Sequence, residues 1–327
     1  MVRLLLALLA LASDSAGQDS TLLVLHKGGS SLGYYTPEGK LIATVATGRH
    51  PHEGVLSPDG RQLYVTDNGT MRIEEVAPGG NTVSIIDVAA RRRAGEIPLG
   101  EYHRPHGVAL DAATGRLAVS CELPDQLLIV DPVKKSVLRK YDTKGKTAHM
   151  VTFGPGGKWA YVSNSSSATV AAVELSSGRV VLIRTGERPE GSVLSKDGRE
   201  LYVTNRDSGG ITVIDTSKNA PVAAIKTGKG PVRISLTPDG RQLVYALSLE
   251  NKVEFADPAS RRVLGQVAVG GRPISMNLSQ DGKLALVSAE DIDTVYVVSI
   301  AERKIVRTFK TSLGMGPDPV FQVSMNR

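Results

Sequence analysis

The sequence predicts an all-β chain folded as a seven-bladed β-propeller of four-stranded antiparallel blades. Three observations carry that prediction. A turn signal recurs about every 42 residues, each repeat holds four short strands, and a lone strand is left over at the C-terminal end. The turn signals are Ser57-Pro58-Asp59-Gly60, Gly154-Pro155-Gly156-Gly157, Ser195-Lys196-Asp197-Gly198, Thr237-Pro238-Asp239-Gly240 and Ser279-Gln280-Asp281-Gly282, with Asp111 to Gly115 supplying the sixth. Aspartate-glycine and glycine-glycine tolerate the positive φ of tight hairpins, so each marks an antiparallel turn.

The elements follow in chain order. Met1-Val2-Arg3 carries positive charge, Leu4 to Ala12 is an apolar run, and Ser13 to Gln18 is small and polar, the pattern of a secretory leader. Cleavage after Ala12 or near Gly17 fits it equally; the division adopted is a leader over 1–17, removed on export, and one propeller domain over 18–327. The apolar run is too short to span a bilayer, so no transmembrane segment is expected once it is gone. Export to a periplasm, the cell surface or the medium follows. Beyond the leader, each turn is followed by an apolar strand such as Leu63-Tyr64-Val65-Thr66 or Leu201-Tyr202-Val203-Thr204. A third strand rich in β-branched residues comes next (Val83 to Val88, Ile211 to Ile214), then a fourth that runs to a glycine, as in Val222 to Gly228. Pro319 to Ser324 reads as a solitary first strand, and Leu22 to Lys27, Leu32 to Tyr35 and Leu41 to Thr47 as the other three of its blade. Joining them closes the ring and removes the free sheet edges.

Composition narrows the function classes. With 41% apolar and 22% charged residues the chain is neither disordered, collagenous nor a multi-span membrane protein. Its 39 basic against 33 acidic residues are spread along the chain, and Arg91-Arg92-Arg93 and Lys134 to Lys146 lack interleaved aromatics, so nucleic acid is not an expected partner. The single cysteine, Cys121, excludes an intrachain disulfide and is expected to be a small buried apolar residue.

One position in the repeat carries chemistry. Five residues before each turn, at the channel mouth, stand His52, His106, His149, Glu190, Val232 and Ile274, with Asp318 or Pro319 in the split blade. Three consecutive blades offer histidine, whereas Val232 and Ile274 indicate that the fold does not require it. His50 and His103 lie just upstream of two of them. Imidazoles converging from neighbouring strands suit one transition metal ion (copper, zinc or iron), with His52, His106 and His149 as donors and Glu190 as a fourth polar group or a base. Glu122, Asp67 and Arg206 sit at the bases of loops opening on the same face and join His50 and His103 as expected ligand contacts. A longer loop, Gly69 to Gly80, is read either as a lid near His52 or as a tolerated insertion.

The stretches Tyr64-Val65-Thr66-Asp67, Tyr161-Val162-Ser163-Asn164 and Tyr202-Val203-Thr204-Asn205 resemble the YVTN-type β-propeller repeat of exported and cell-surface proteins. His50-Pro51-His52-Glu53-Gly54 also resembles the seven-bladed lactonase family, which includes phosphogluconolactonases and carboxymuconate lactonizing enzymes. That family's first-strand histidine matches His149, but its Arg-His pair falls at Pro189-Glu190, its glutamate at Asn205-Arg206 and its last arginine near Ser248. Shifting the register recovers Glu122 beside Arg104-Pro105-His106 and then loses the arginine at Asn164-Ser165. The full catalytic set is absent in either register. No phosphate loop or dinucleotide fingerprint occurs, so no nucleotide cofactor is expected. The functional expectation is a monomer that binds a small-molecule or protein ligand at a histidine-rich mouth, through a transition metal. A metal-assisted or lactonase-like hydrolase or oxidase at the same site, and a cell-envelope interaction scaffold, are the two alternatives.

Overall fold

A computed structural model describes residues 20–325; the expected leader over 1–17 lies outside them. Blade 1 takes β1 (Ser20–His26), β2 (Ser31–Tyr35) and β3 (Leu41–Ala46); blade 2 takes β4 (Pro51–Leu56), β5 (Gln62–Asp67), β6 (Thr82–Asp87) and β7 (Arg92–Pro98). Blade 3 takes β8 (His103–Asp111), β9 (Arg116–Leu123), β10 (Asp125–Asp131) and β11 (Ser136–Asp142); blade 4 takes β12 (Ala148–Phe153), β13 (Trp159–Asn164), β14 (Thr169–Glu174) and β15 (Val180–Arg184). Blade 5 takes β16 (Pro189–Leu194), β17 (Glu200–Asn205), β18 (Ile211–Asp215) and β19 (Ala220–Ile225); blade 6 takes β20 (Pro231–Leu236), β21 (Leu243–Leu247), β22 (Lys252–Asp257) and β23 (Arg262–Ala268). Blade 7 takes β24 (Pro273–Leu278), β25 (Leu284–Ala289), β26 (Thr294–Ser299) and β27 (Lys304–Lys310), and β28 (Pro317–Ser324) returns to blade 1.

The ring closes as the sequence predicts. β28 pairs antiparallel with β1, Leu22 facing Gln322 and Leu23 facing Phe321, so the first blade has the order β28-β1-β2-β3. Among the described residues no helix is long and apolar enough to cross a membrane.

The turn residues act as the repeat requires. Ser57 Oγ donates to Asp59 Oδ1 at 2.6 Å and the Gly60 amide donates to the Ser57 carbonyl at 2.8 Å. Gly60 adopts φ +70°, which a residue without a Cβ does at no steric cost. The Ser195-Asp197, Thr237-Asp239 and Ser279-Asp281 pairs repeat the same hydroxyl-to-carboxylate bond. The apolar second and third strands are buried between blades: Leu63, Val65 and Ile86 pack with Leu23, Leu32 and Tyr34 of the preceding blade. Each such fully buried aliphatic side chain contributes about 1.5–3 kcal/mol. Outer strands such as β7 and β27 leave most of their residues exposed, and their arginines and lysines discourage edge pairing.

Candidate functional site

The site comes from a defect repeated in the inner strands. Pairing of each inner strand with its neighbour slips between Pro51 and Gly54, Pro105 and Val108, Ala148 and Val151, Pro189 and Ser192, and Pro231 and Ile234. A β-bulge leaves the intervening residues out of the ladder and re-aims their side chains. Those residues include His52, Glu53, His106, His149, Glu190 and Arg233, which form a connected group across the mouth. Proline precedes five of the seven mouth positions closely enough to start the strand, where its missing N–H costs no ladder bond.

The hydroxyl of the second strand then fixes these bulges in space. Thr66 Oγ1 donates to the His106 carbonyl at 2.7 Å, Ser120 Oγ to the His149 carbonyl, Thr204 Oγ1 to the Val232 carbonyl and Ser288 Oγ to the Asp318 carbonyl. Each bond runs from one blade to the mouth residue of the next. Thr66 and Thr204 are the third residues of the repeated Tyr-Val-Thr segment, so that segment does more than fill the core: it holds the neighbouring blade's mouth carbonyl.

Seen from the residues upward, the mouth is a chain of alternating charges. His149 Nε2–H donates to Glu190 Oε2 at 2.9 Å, and its Nδ1 lies 3.5 Å from Glu122 Oε1. His106 Nδ1–H donates to the same Glu122 oxygen at 2.9 Å, while Arg233 Nη2 approaches His106 Nε2 at 3.5 Å. Arg233 crosses the channel, donating from Nε to Glu53 Oε1 at 2.7 Å and from Nη1 to Glu190 Oε2 at 3.2 Å. Arg104 Nε lies 3.1 Å from Glu122 Oε2, and Arg188 Nε and Arg206 Nη1 lie 3.4 and 3.5 Å from Glu190 Oε1. The imidazole centroids of His106 and His149 are 3.6 Å apart, and those of His52 and His106 4.6 Å.

Burial sets the protonation of these groups. Burial holds His52 and His106 well below the ordinary imidazole value, assisted by nearby Lys27 for His52 and by His149 and Arg233 for His106. His149 is buried as deeply, which alone would lower it, yet the carboxylates of Glu190 and Glu122 raise it above the ordinary value. Glu190 is the converse: burial would raise it, and His149, Arg233 and Arg206 together hold it well below the usual carboxylate range. On the far side Asp318, buried near Lys27, is pushed up to about 8 by burial, against the attraction of Lys27 and Arg233 and with the help of Glu53.

Of the residues singled out in the sequence, the structure brings together His52, His106, His149, Glu190, Glu122 and Arg206. His52 stands at the edge of the group, its Nε2–H donating to the Thr70 carbonyl at 2.8 Å. Among the described residues, His106, Glu122 and His149 each offer a donor atom within 4.8 Å of one another. Asp67 lies off the mouth: its carboxylate accepts from the Gly48 amide at 2.8 Å, from Thr82 Oγ1 at 2.7 Å and from Ser84 Oγ at 3.0 Å, tying blade 2 together, and burial pushes it up to about 6. His50 Nδ1–H donates to the Lys27 carbonyl at 2.9 Å, and among the described residues His103 Nδ1 is buried without a hydrogen-bond partner. Cys121 is fully buried in the blade 2–3 core, with its thiol raised by burial.

Sequence reasoning passed over Glu53 and Arg233, which are central, and Arg188. The signal was present one residue along: at a bulge two consecutive residues leave the ladder, and a search confined to one position per blade sees only the first. The long loop also finds its place. Arg104 Nη2 donates to the Ile73 carbonyl at 2.9 Å, and Glu74 Oε1 reaches Arg188 Nη2 of blade 5 at 3.5 Å, so the loop from blade 2 leans over the mouth.

Comparison with known proteins agrees with this architecture. A family described as cytochrome D1 heme domain matches residues 196–312, just over a third of the chain. Among solved structures, the Pseudomonas aeruginosa periplasmic gluconolactonase PpgL superposes with a TM-score of 0.75 at 19% identity, covering 94% of this chain and 99% of that one. The dihydro-heme d1 dehydrogenase NirN in complex with DHE gives 0.65 at 16% identity, covering 93% of this chain and 66% of that one. Kuenenia stuttgartiensis hydrazine synthase gives 0.65 at 19% identity over 76% of each chain. No curated protein matches the chain. These likenesses place it among the propellers.

The mouth does not fit a tetrapyrrole. All six histidines precede residue 196, outside the segment that matches the heme domain. His52, His106, His149 and Glu190 are each at most 6% exposed, and Arg233 closes the space between them. That leaves no room for a macrocycle among these four side chains, whereas a bare ion needs only the donor atoms already gathered.

Proposed function

We propose that this chain is an exported, monomeric propeller of the YVTN type that binds a transition metal ion, copper, zinc or iron, through His106, Glu122 and His149 at its channel mouth. The observation that carries this reading is the gathering of those three donors from blades 3 and 4, with Glu190 on the far nitrogen of His149. Donor atoms around a tetrahedral ion bound at about 2.0–2.1 Å lie about 3.3 Å apart, and the contacts of Glu122 Oε1 with the two Nδ1 atoms, 2.9 and 3.5 Å, bracket that spacing. A carboxylate on the second nitrogen of a ligating imidazole fixes its tautomer and raises its basicity, which is the role given to Glu190. Arg233 steadies Glu190 in turn. A bound ion would supply Lewis acidity at the mouth.

Export is supported by the charged, apolar and small-polar succession over residues 1–17 and by the periplasmic gluconolactonase among the structural neighbours. The same neighbour supports a second reading, lactonase-like hydrolysis at this mouth, in which an ion held by His106, Glu122 and His149 would supply Lewis acidity toward an ester carbonyl.

Elemental analysis of untagged protein from the exported fraction tests the metal reading. About one ion per chain is expected in the parent, and none in a His106→Ala, His149→Ala variant. His52→Val should keep its ion, because His52 is committed to the Thr70 carbonyl. An ion-free parent that stays empty after reconstitution would falsify the metal reading. Lactone hydrolysis by the same samples, lost with chelator, separates the enzyme from the binding protein.

A further inference from the structure

Glu190 is surrounded by more positive charge than it can answer. Three guanidiniums converge on its two oxygens, Arg233 at 3.2 Å, Arg188 at 3.4 Å and Arg206 at 3.5 Å. Arg233 has Glu53 as a second anion and Arg188 has Glu74, but among the described residues Arg206 has no other ion-pair partner. The Arg188 and Arg206 contacts are also long. Charge-assisted N–H to carboxylate bonds close to about 2.7–2.9 Å, and a guanidinium fork satisfied by a carboxylate makes two of them. Neither fork is filled here.

The backbone orients one of these guanidiniums. Arg188 holds a left-handed φ of 54°, as His50, Arg104 and Thr147 do at the same point before the inner strands of blades 2, 3 and 4, where blades 6 and 1 carry Gly230 and Gly316. In blade 5 the residue at this point presents its guanidinium to the mouth, 3.4 Å from Glu190. Its partner Glu74 is two-thirds exposed and comes from the blade 2 loop, 114 residues away in sequence.

We propose that Arg188 and Arg206 form a binding site for the carboxylate of a small organic acid, a place that the Glu74 carboxylate partly fills through Arg188. The inference deepens the reading of the mouth as a ligand site, adding an anion subsite beside the metal donors. A monoanion suits it better than phosphate, because the carboxylate of Glu190 lies behind both guanidiniums and repels a second negative charge. Glu74 acts as an internal competitor, so its removal and the removal of Arg206 must move affinity in opposite directions.

The test is calorimetric titration of the full chain with acetate, lactate and gluconate, and with inorganic phosphate, using the parent, Arg206→Gln and Glu74→Gln. Both substituted residues lie at the rim, so the fold is expected to survive. The parent is expected to bind at least one carboxylate; Arg206→Gln should weaken it about tenfold or more, and Glu74→Gln should tighten it severalfold. Failure of both parent and Glu74→Gln to bind any carboxylate overturns the proposal, as does an affinity unchanged in Arg206→Gln, or binding of phosphate alone. Metal content is measured on the same samples. A metal-loaded chain that ignores carboxylates overturns only the anion subsite, and a carboxylate-binding chain without metal overturns only the metal reading.

Discussion

Blades 2 to 5 and blades 6 and 7 solve the same geometric problem with opposite chemistry. At the mouth position the first group carries His52, His106, His149 and Glu190, and the second carries Val232 and Ile274. The inner strands slip register at the same place in both groups, from Pro51/Gly54 in blade 2 to Pro273/Ser275 in blade 7. The bulge therefore does not depend on what it displays. The polar half is free to vary without loss of the blade, and what keeps its charges in a buried mouth is their pairing with one another. One residue joins the halves: Arg233, beside the apolar Val232, reaches from blade 6 to Glu53 of blade 2 and Glu190 of blade 5.

Removing that joint should have the largest effect on stability. Arg233→Ala leaves Glu53 and Glu190 buried with one fewer cation, and breaking a buried pair from one side costs about 3–5 kcal/mol. Denaturant unfolding should show a loss of that size, partly recovered by adding Glu53→Gln. A loss below about 1 kcal/mol would mean that water already screens the mouth and that the two halves are energetically independent.

Protonation sharpens the contrast between the two sides of the ring. Asp318 of blade 1 is raised from 3.8 to about 8, first by burial, while Lys27, Arg233, Glu53 and Glu290 face it. A carboxyl raised in the folded state binds its proton more tightly there than in the unfolded chain. Its contribution to stability is thus complete below about pH 4 and is lost as pH rises through about 8. The melting temperature of the parent should fall across that window by several degrees more than that of Asp318→Asn. Parallel profiles for the two proteins would show that Lys27 and Arg233 keep Asp318 ionised throughout.

Most of the fold was legible because turn chemistry and strand periodicity are local. Ser57-Pro58-Asp59-Gly60 states its hairpin in four residues, and the split blade follows from counting strands. The site was legible only in part. His106, His149 and Glu190 stand at one repeat position and could be aligned, whereas Glu53 and Arg233 sit one residue further on, where a bulge cancels the usual alternation of strand faces. Asp67 shows the reverse error. Its place in the repeated motif suggested the mouth, but Thr82, Ser84 and the Gly48 amide, all within its own blade or at its entry, take up its carboxylate. Which donors a carboxylate meets depends on partners 15 to 19 residues distant, and no local pattern encodes that.

The smallest expected effect concerns the backbone just before the bulge, where the halves differ again. Blades 2, 3, 4 and 5 hold His50, Arg104, Thr147 and Arg188 in the left-handed region, while blade 6 uses Gly230. Arg188→Gly relieves strain of roughly 1–2 kcal/mol. It also removes ion pairs to Glu74 and Glu190 that are long and partly open to solvent, worth about 0–1 kcal/mol. Glu190 keeps His149, Arg206 and Arg233, so no buried charge is stranded. The two contributions nearly cancel, and stability measured by urea unfolding should stay the same or rise slightly while carboxylate affinity falls. A loss of stability of more than about 1 kcal/mol would show that Arg188 is held left-handed for the fold, as a structural counterion of Glu190. An unchanged or higher stability with weakened binding would show that the strain is retained for the ligand.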